Sequence, residues 1–105
     1  MDRTLLEKQL VHIAESVALL RRLVVIERLE TDPVQLGFAT YTLQTAVQAA
    51  IDVAAMIVAD RKLGEPRTNK EMFAKLAGDG WIPAEAVDLW KRIVSFRNVV
   101  VHRYL

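Results

Sequence analysis

Ala46-Val47-Gln48-Ala49-Ala50-Ile51-Asp52-Val53-Ala54-Ala55 decides the fold, because five of its ten residues are alanine. Alanine is the best helix former and carries almost no bulk, so this stretch predicts a helix that neighbours can approach closely on more than one side. It is the central helix of a bundle. Upstream, Thr31-Asp32-Pro33-Val34-Gln35 predicts its start: Asp32 caps orphan amides, Pro33 suits the first helical position and Gln35 stands where a capping-box partner belongs. Downstream the helix is expected to reach about Lys62, with Gly64 and Pro66 ending it. The uncharged run from Pro33 to Ile51 is long enough to span a bilayer, but Gln35, Thr40, Thr42, Gln44, Thr45 and Gln48 interrupt it. It therefore reads as the buried helix of a soluble protein, and no membrane partner is expected.

A central helix needs partners, and the flanking sequence supplies three. Leu6, Leu10, Ile13, Val17, Leu20 and Val24 recur at alternating spacings of four and three, an apolar stripe that predicts a helix over Arg3 to Leu29, about 40 Å long. Thr68-Asn69-Lys70-Glu71 offers a capping box for a short helix carrying Met72, Phe73 and Leu76, which Gly78-Asp79-Gly80 breaks. From Pro83 a fourth helix lines up Val87, Trp90, Val94 and Val101, with Glu85 and Asp88 early and Lys91, Arg92 and Arg103 late, as the helix dipole favours. Strand alternation and internal repeats are absent from the sequence. The expected fold is an all-α antiparallel helical bundle, one domain over residues 1–105 with two long helices, a short third and a fourth.

Composition narrows the chemistry. At 105 residues, 52% hydrophobic and 26% charged, the chain is the size of one domain and too short for two. With no cysteine it has no disulfide, zinc thiolate or thiol nucleophile, and its two histidines, His12 and His102, cannot build a three-histidine metal site alone. No metal and no cofactor are expected. The net charge of +1 gives no overall pull toward nucleic acid, yet Leu89 to Leu105 contain Lys91, Arg92, Arg97 and Arg103 without one acid. That patch suits RNA phosphates, and it also complements the helix dipole. Met1-Asp2-Arg3 leads into an amphipathic segment rather than an apolar signal core, which makes the cytoplasm the expected compartment. Trp81 reads as a loop anchor ahead of a base-stacking surface, and His12 as a structural or surface residue.

The final nine residues carry the functional reading: Arg97-Asn98-Val99-Val100-Val101-His102-Arg103-Tyr104-Leu105. Arg-Asn, three residues, His, one residue and Tyr resembles the signature of the HEPN superfamily, in particular its HepT-like toxins. Leu43-Gln44, Ala49-Ala50-Ile51-Asp52 and Phe96-Arg97-Asn98 also resemble that family's helices. The resemblance implies a homodimeric helical bundle that acts as a metal-independent ribonuclease, paired with a minimal nucleotidyltransferase antitoxin. Carried onto this chain it makes Arg97 and His102 the catalytic pair and Tyr104 the acceptor of a transferred AMP. Family members continue past the motif, so a domain ending at Leu105 is expected to lack a C-terminal helix, weakening the dimer or exposing core.

The residue types fit that task on their own terms. Metal-free RNA cleavage uses the ribose 2′-hydroxyl as nucleophile, so protons must move and charge on the phosphate must be offset. Histidine titrates near neutrality, and arginine binds phosphate through two parallel hydrogen bonds. Five helical steps nevertheless separate Arg97 from His102, about 140° around an ideal helix, whereas Asn98 shares a face with His102. Either Val99-Val100-Val101 breaks the helix, or the site is assembled across a two-fold axis, which is the preferred reading. Asp52, with Asn98 a supporting residue, lies on a polar strip with Tyr41, Thr45 and Gln48. It faces a cation such as Arg97 or His102, or else solvent or a partner chain. The rival to a toxin ribonuclease is a non-catalytic dimerisation module of the same fold that binds nucleotide or protein.

Overall fold

In the computed structural model, which describes residues 1–104 apart from the Tyr104 side chain, Asp2 opens α1 by accepting the Leu5 amide at 3.0 Å. Helix α1 covers Arg3–Leu23 and does not continue to Leu29 as the apolar stripe suggests. Two physical causes end it early. Val24-Val25-Ile26 is a run of stiff β-branched side chains, and Val24 turns to extended backbone while its amide still bonds Leu20 O at 3.0 Å. The Gln35 side chain then bridges the break, donating to Leu23 O at 3.0 Å and accepting from Val25 N at 2.9 Å. Gln35, expected in a capping box at the start of the next helix, thus seals the end of the previous one. A single 3-10 turn, Ile26–Arg28, completes the connection.

Helix α2, Pro33–Asp60, starts as predicted: the Asp32 carboxylate accepts from Val34 N at 2.9 Å and Gln35 N at 3.4 Å, with Pro33 in the first turn. It ends in a Schellman motif, Leu63 N to Val58 O at 3.0 Å and Lys62 N to Ala59 O at 3.2 Å. Lys62 itself, at φ 54°, takes the left-handed position, two residues before the glycine expected to stop the helix. Helix α3, Asn69–Gly78, is capped by the Thr68 hydroxyl on Glu71 N at 3.1 Å. A second Schellman motif ends it: Gly80 stands at φ 84°, and Trp81 N bonds Leu76 O at 2.9 Å. After a 3-10 turn at Ala84–Ala86, helix α4 runs unbroken from Val87 to Tyr104, four residues later than Pro83 would have it begin.

The all-α bundle is therefore as expected, and α2 is its axis. α2 is long and apolar enough to cross a membrane by length and composition, but α1, α3 and α4 all pack on it. Val47, Ile51, Ala54, Ile57 and Val58 of α2 meet Met72, Phe73 and Leu76 of α3 and Val94 of α4 in one core. Phe73 and Trp90 stack with ring centroids 4.6 Å apart. The α1 stripe is only partly covered: the one buried residue of α1 is Ser16, beside the stripe, and Leu10 and Val17 stay exposed. Between α1 and α4 a groove of about 400 Å³ opens onto α2, walled by Ile13, Val17, Leu43, Leu89, Ile93 and Phe96.

Candidate functional site

Helix α4 places the motif. Val94 and Val100 are buried against the bundle, and Arg97 lies between them on the helix's inward face, half-buried against α2. Its guanidinium meets two neutral acceptors: Nη1 donates to Asn98 Oδ1 at 3.2 Å and Nη2 to Gln48 Oε1. Among the described residues its Nε, also buried, has no hydrogen-bond partner. A buried unpaired donor costs about 1–3 kcal/mol, so Arg97 retains an unmet demand for an acceptor.

Behind Arg97 the polar strip of α2 forms a relay. Gln48 Nε2 donates to Asp52 Oδ1 at 2.9 Å, and Gln9 Nε2 of α1 reaches Asp52 Oδ2 at 3.5 Å. Asp52 is thereby tied to α1 directly and to α4 through the Gln48 amide. Asp52 is not paired with a cation, one of the two arrangements expected of it: an amide stands between it and Arg97. The reason is register, since Gln48 lies one turn before Asp52 on α2 and so is the polar group level with Arg97.

His102 is exposed, on the flank of α4 about 140° from Arg97. Because α4 is continuous through Val99, Val100 and Val101, the helix break that would have folded His102 back toward Arg97 does not occur. Within one chain the two do not converge. Phe96 and Val99, 49% and 53% exposed, form with His102 a ridge at three-residue spacing on the outer side of α4. Lys91, Arg92 and Arg103 are exposed on the same helix. The backbone of Tyr104 closes α4, and its side chain lies outside the described residues.

Residues 11–105 match the family model described as Ribonuclease HepT-like. The chain belongs to that family. Among curated proteins, this HepT-like chain is 36% identical over 62 residues to an mRNA nuclease HepT of Shewanella oneidensis, covering 59% of this chain and 47% of the relative. It is 34% identical over 80 residues to a putative RNase of Archaeoglobus fulgidus, covering 74% of this chain and 58% of the relative. The chain spans about half the length of the curated relatives it matches. Its fold is that of a tri-AMPylated Shewanella oneidensis HEPN toxin solved in complex with an MNT antitoxin, with a TM-score of 0.86 at 24% identity over 96% of this chain and 77% of that one. A toxin–antitoxin structure with AMP-PNP superposes similarly, at TM-score 0.87 and 23% identity over 94% of this chain and 76% of that one. The HepT-like resemblance expected from the sequence is borne out. Sequence reading placed Gln48 on the polar strip without seeing that it bonds Arg97, and it missed Gln9; only their three-dimensional register reveals the relay.

The remaining sequence candidates fall outside this site. His12 is exposed on α1. Trp81 anchors its loop, donating Nε1–H to Asp79 Oδ2 at 2.9 Å, while Arg61 Nε donates to the same oxygen at 3.0 Å. The Arg61 bond, then that of Trp81, holds the Asp79 carboxyl below its ordinary range.

Proposed function

We propose that this HepT-like domain is the toxin of a toxin–antitoxin pair and a metal-independent endoribonuclease, with Arg97 and His102 as its catalytic residues and Asn98 and Asp52 in support. The observation that carries the reading is Arg97 itself: a guanidinium fixed on the inward face of α4 by neutral acceptors and, among the described residues, with an unpaired N–H and no carboxylate bonded to it. A guanidinium whose charge no carboxylate offsets is suited to receiving an anion.

Cleavage then proceeds by attack of the ribose 2′-oxygen on the adjacent phosphorus. One histidine takes the 2′-hydroxyl proton, the P–O5′ bond breaks, and an acid returns a proton to the departing 5′-oxygen. The products are a 2′,3′-cyclic phosphate and a 5′-hydroxyl. Arg97 offsets charge on the non-bridging oxygens as the pentacovalent phosphorus forms. His102 does not reach Arg97 along one continuous α4, so the site is composite: in a homodimer the His102 of one chain is set against the Arg97 of the other. The exposed ridge of Phe96, Val99 and His102 supports this arrangement: a second copy covering the two apolar side chains comes within reach of the histidine.

The partner of the toxin is a nucleotidyltransferase antitoxin that places AMP on Tyr104, as the tri-AMPylated toxin in its complex suggests by analogy. Tyr104 stands two residues beyond His102, so an added phosphate there repels RNA and competes for Arg97. The test is cleavage of a defined RNA in chelator, reading the ends formed. Wild type should give cyclic-phosphate and 5′-hydroxyl ends, and His102→Ala should give almost none; products with 5′-phosphate ends, or no cleavage, contradict the reading. The dimerisation module without catalysis is the outcome in which RNA or nucleotide binds and stays intact.

A further inference from the structure

Gln48 sits between the only carboxylate of the α2 strip and the guanidinium of Arg97, touching both. We propose that Gln48 is a positioning residue for the reaction: its amide holds Arg97 in place while keeping the Asp52 carboxylate off it, so that the guanidinium meets RNA phosphate with its charge uncommitted. The proposal rests on the ribonuclease reading above.

A glutamine amide has one accepting and one donating end, whereas an ionised carboxylate only accepts. Asp52 Oδ1 therefore takes the Nε2 end of Gln48, at 2.9 Å, and this leaves Oε1 facing α4. Arg97 Nη2 donates to that oxygen. The orientation of the amide is thus set by Asp52 and transmitted to Arg97. Gln9, reaching the other Asp52 oxygen from α1 at 3.5 Å, holds the carboxylate from the far side. Without Asp52 the amide is free to turn its N–H end toward the guanidinium, donor against donor.

The neutrality of the link is as important as its geometry. A carboxylate paired directly with arginine forms a charge-assisted, often bidentate bond and occupies the edge that phosphate would use. An amide oxygen orients the same group through a weaker bond and leaves its positive charge unpaired. The pattern at Arg97 is consistent throughout: both acceptors, Gln48 Oε1 and Asn98 Oδ1, are amide oxygens.

Two substitutions separate the two duties. Gln48→Glu keeps an acceptor but puts a carboxylate against the guanidinium; it should weaken binding of an uncleavable 2′-O-methyl RNA, and raise KM, by about tenfold or more with kcat changed less. Gln48→Leu removes the acceptor and should lower kcat more than it raises KM. Melting curves establish that each variant is folded. A readout independent of activity is the nitrogen-15 NMR signal of the Arg97 Nε–H group, identified by its loss in Arg97→Lys. In the wild type it should stand apart from the exposed arginines and exchange slowly, and in Gln48→Leu and Asp52→Leu it should move toward them. An Arg97 signal unmoved by Gln48→Leu, or a folded Gln48→Glu that binds RNA as tightly as wild type, overturns the proposal. Should the wild type neither cleave nor bind RNA, the ribonuclease reading fails, and the NMR comparison still decides whether Gln48 holds Arg97.

Discussion

Arg97 and His102 differ in what their surroundings ask of them. Arg97 is half-buried and bonded through two amide oxygens, so its replacement disturbs both packing and charge; His102 is exposed, and its removal leaves the bundle untouched. His102→Ala should accordingly melt like wild type while cleavage falls by about 10²–10⁴, the usual contribution of a proton-transferring side chain. Wild-type cleavage by that variant would remove His102 from the chemistry. Arg97→Lys keeps a positive charge but loses the planar fork that bonds Gln48 and Asn98 together, and it should also fail to cleave. Tyr104→Phe should retain cleavage yet escape silencing by a cognate nucleotidyltransferase and ATP, which mass spectrometry checks; an AMP adduct elsewhere on a silenced toxin would displace Tyr104 from that role. The sequence names these residues only through the family resemblance of Arg97-Asn98, His102 and Tyr104, since an arginine–histidine interval by itself is common. It could not show that an amide intervenes between Asp52 and Arg97, since that depends on which α2 residue stands level with α4.

The helices were legible wherever a local signal fixes a boundary, as Asp32-Pro33 and Thr68 do, and were misjudged where a distant side chain fixes it. The apolar stripe continues through Val24, but Gln35 reaches back from α2 to bond Leu23 O and Val25 N, and α1 stops there. Gln35→Ala should therefore loosen the α1–α2 connection, lowering unfolding free energy by about 0.5–1.5 kcal/mol in a denaturant titration and speeding exchange of the Val25 amide. Unchanged exchange at Val25 would mean the bridge does not persist in solution. At the end of α3, Asp79 ties Arg61 to Trp81, and its carboxyl is held below the ordinary range, first by Arg61. A group depressed in the folded state stabilises it fully above the carboxyl's ordinary value, and this is lost as pH falls through the depressed one. Asp79→Asn should thus melt below wild type at pH 7, with the gap closing only in strong acid. A gap that is constant with pH would show that the ionised form contributes nothing.

As a whole the molecule is elongated, 45 × 26 × 24 Å, because α2, with 28 residues, is itself about 42 Å long; α1 packs along it and leaves a groove beside α4. Exposed Val17, Leu89 and Phe96 line that groove, and Leu10 and Val99 are exposed on the same two helices. The sequence showed the stripe on α1 and the stripe on α4, but not that neither is fully covered by the other. A second copy is the occupant the account requires, because Arg97 faces inward and His102 outward on one unbroken helix. The most direct measurement mixes two inactive chains, Arg97→Ala and His102→Ala, under conditions shown to form hybrid dimers. If each site takes Arg97 from one chain and His102 from the other, one site per hybrid is intact and the mixture should recover up to about a quarter of wild-type cleavage. No recovery from verified hybrid dimers, or full activity from a monomer, would contradict the two-chain site.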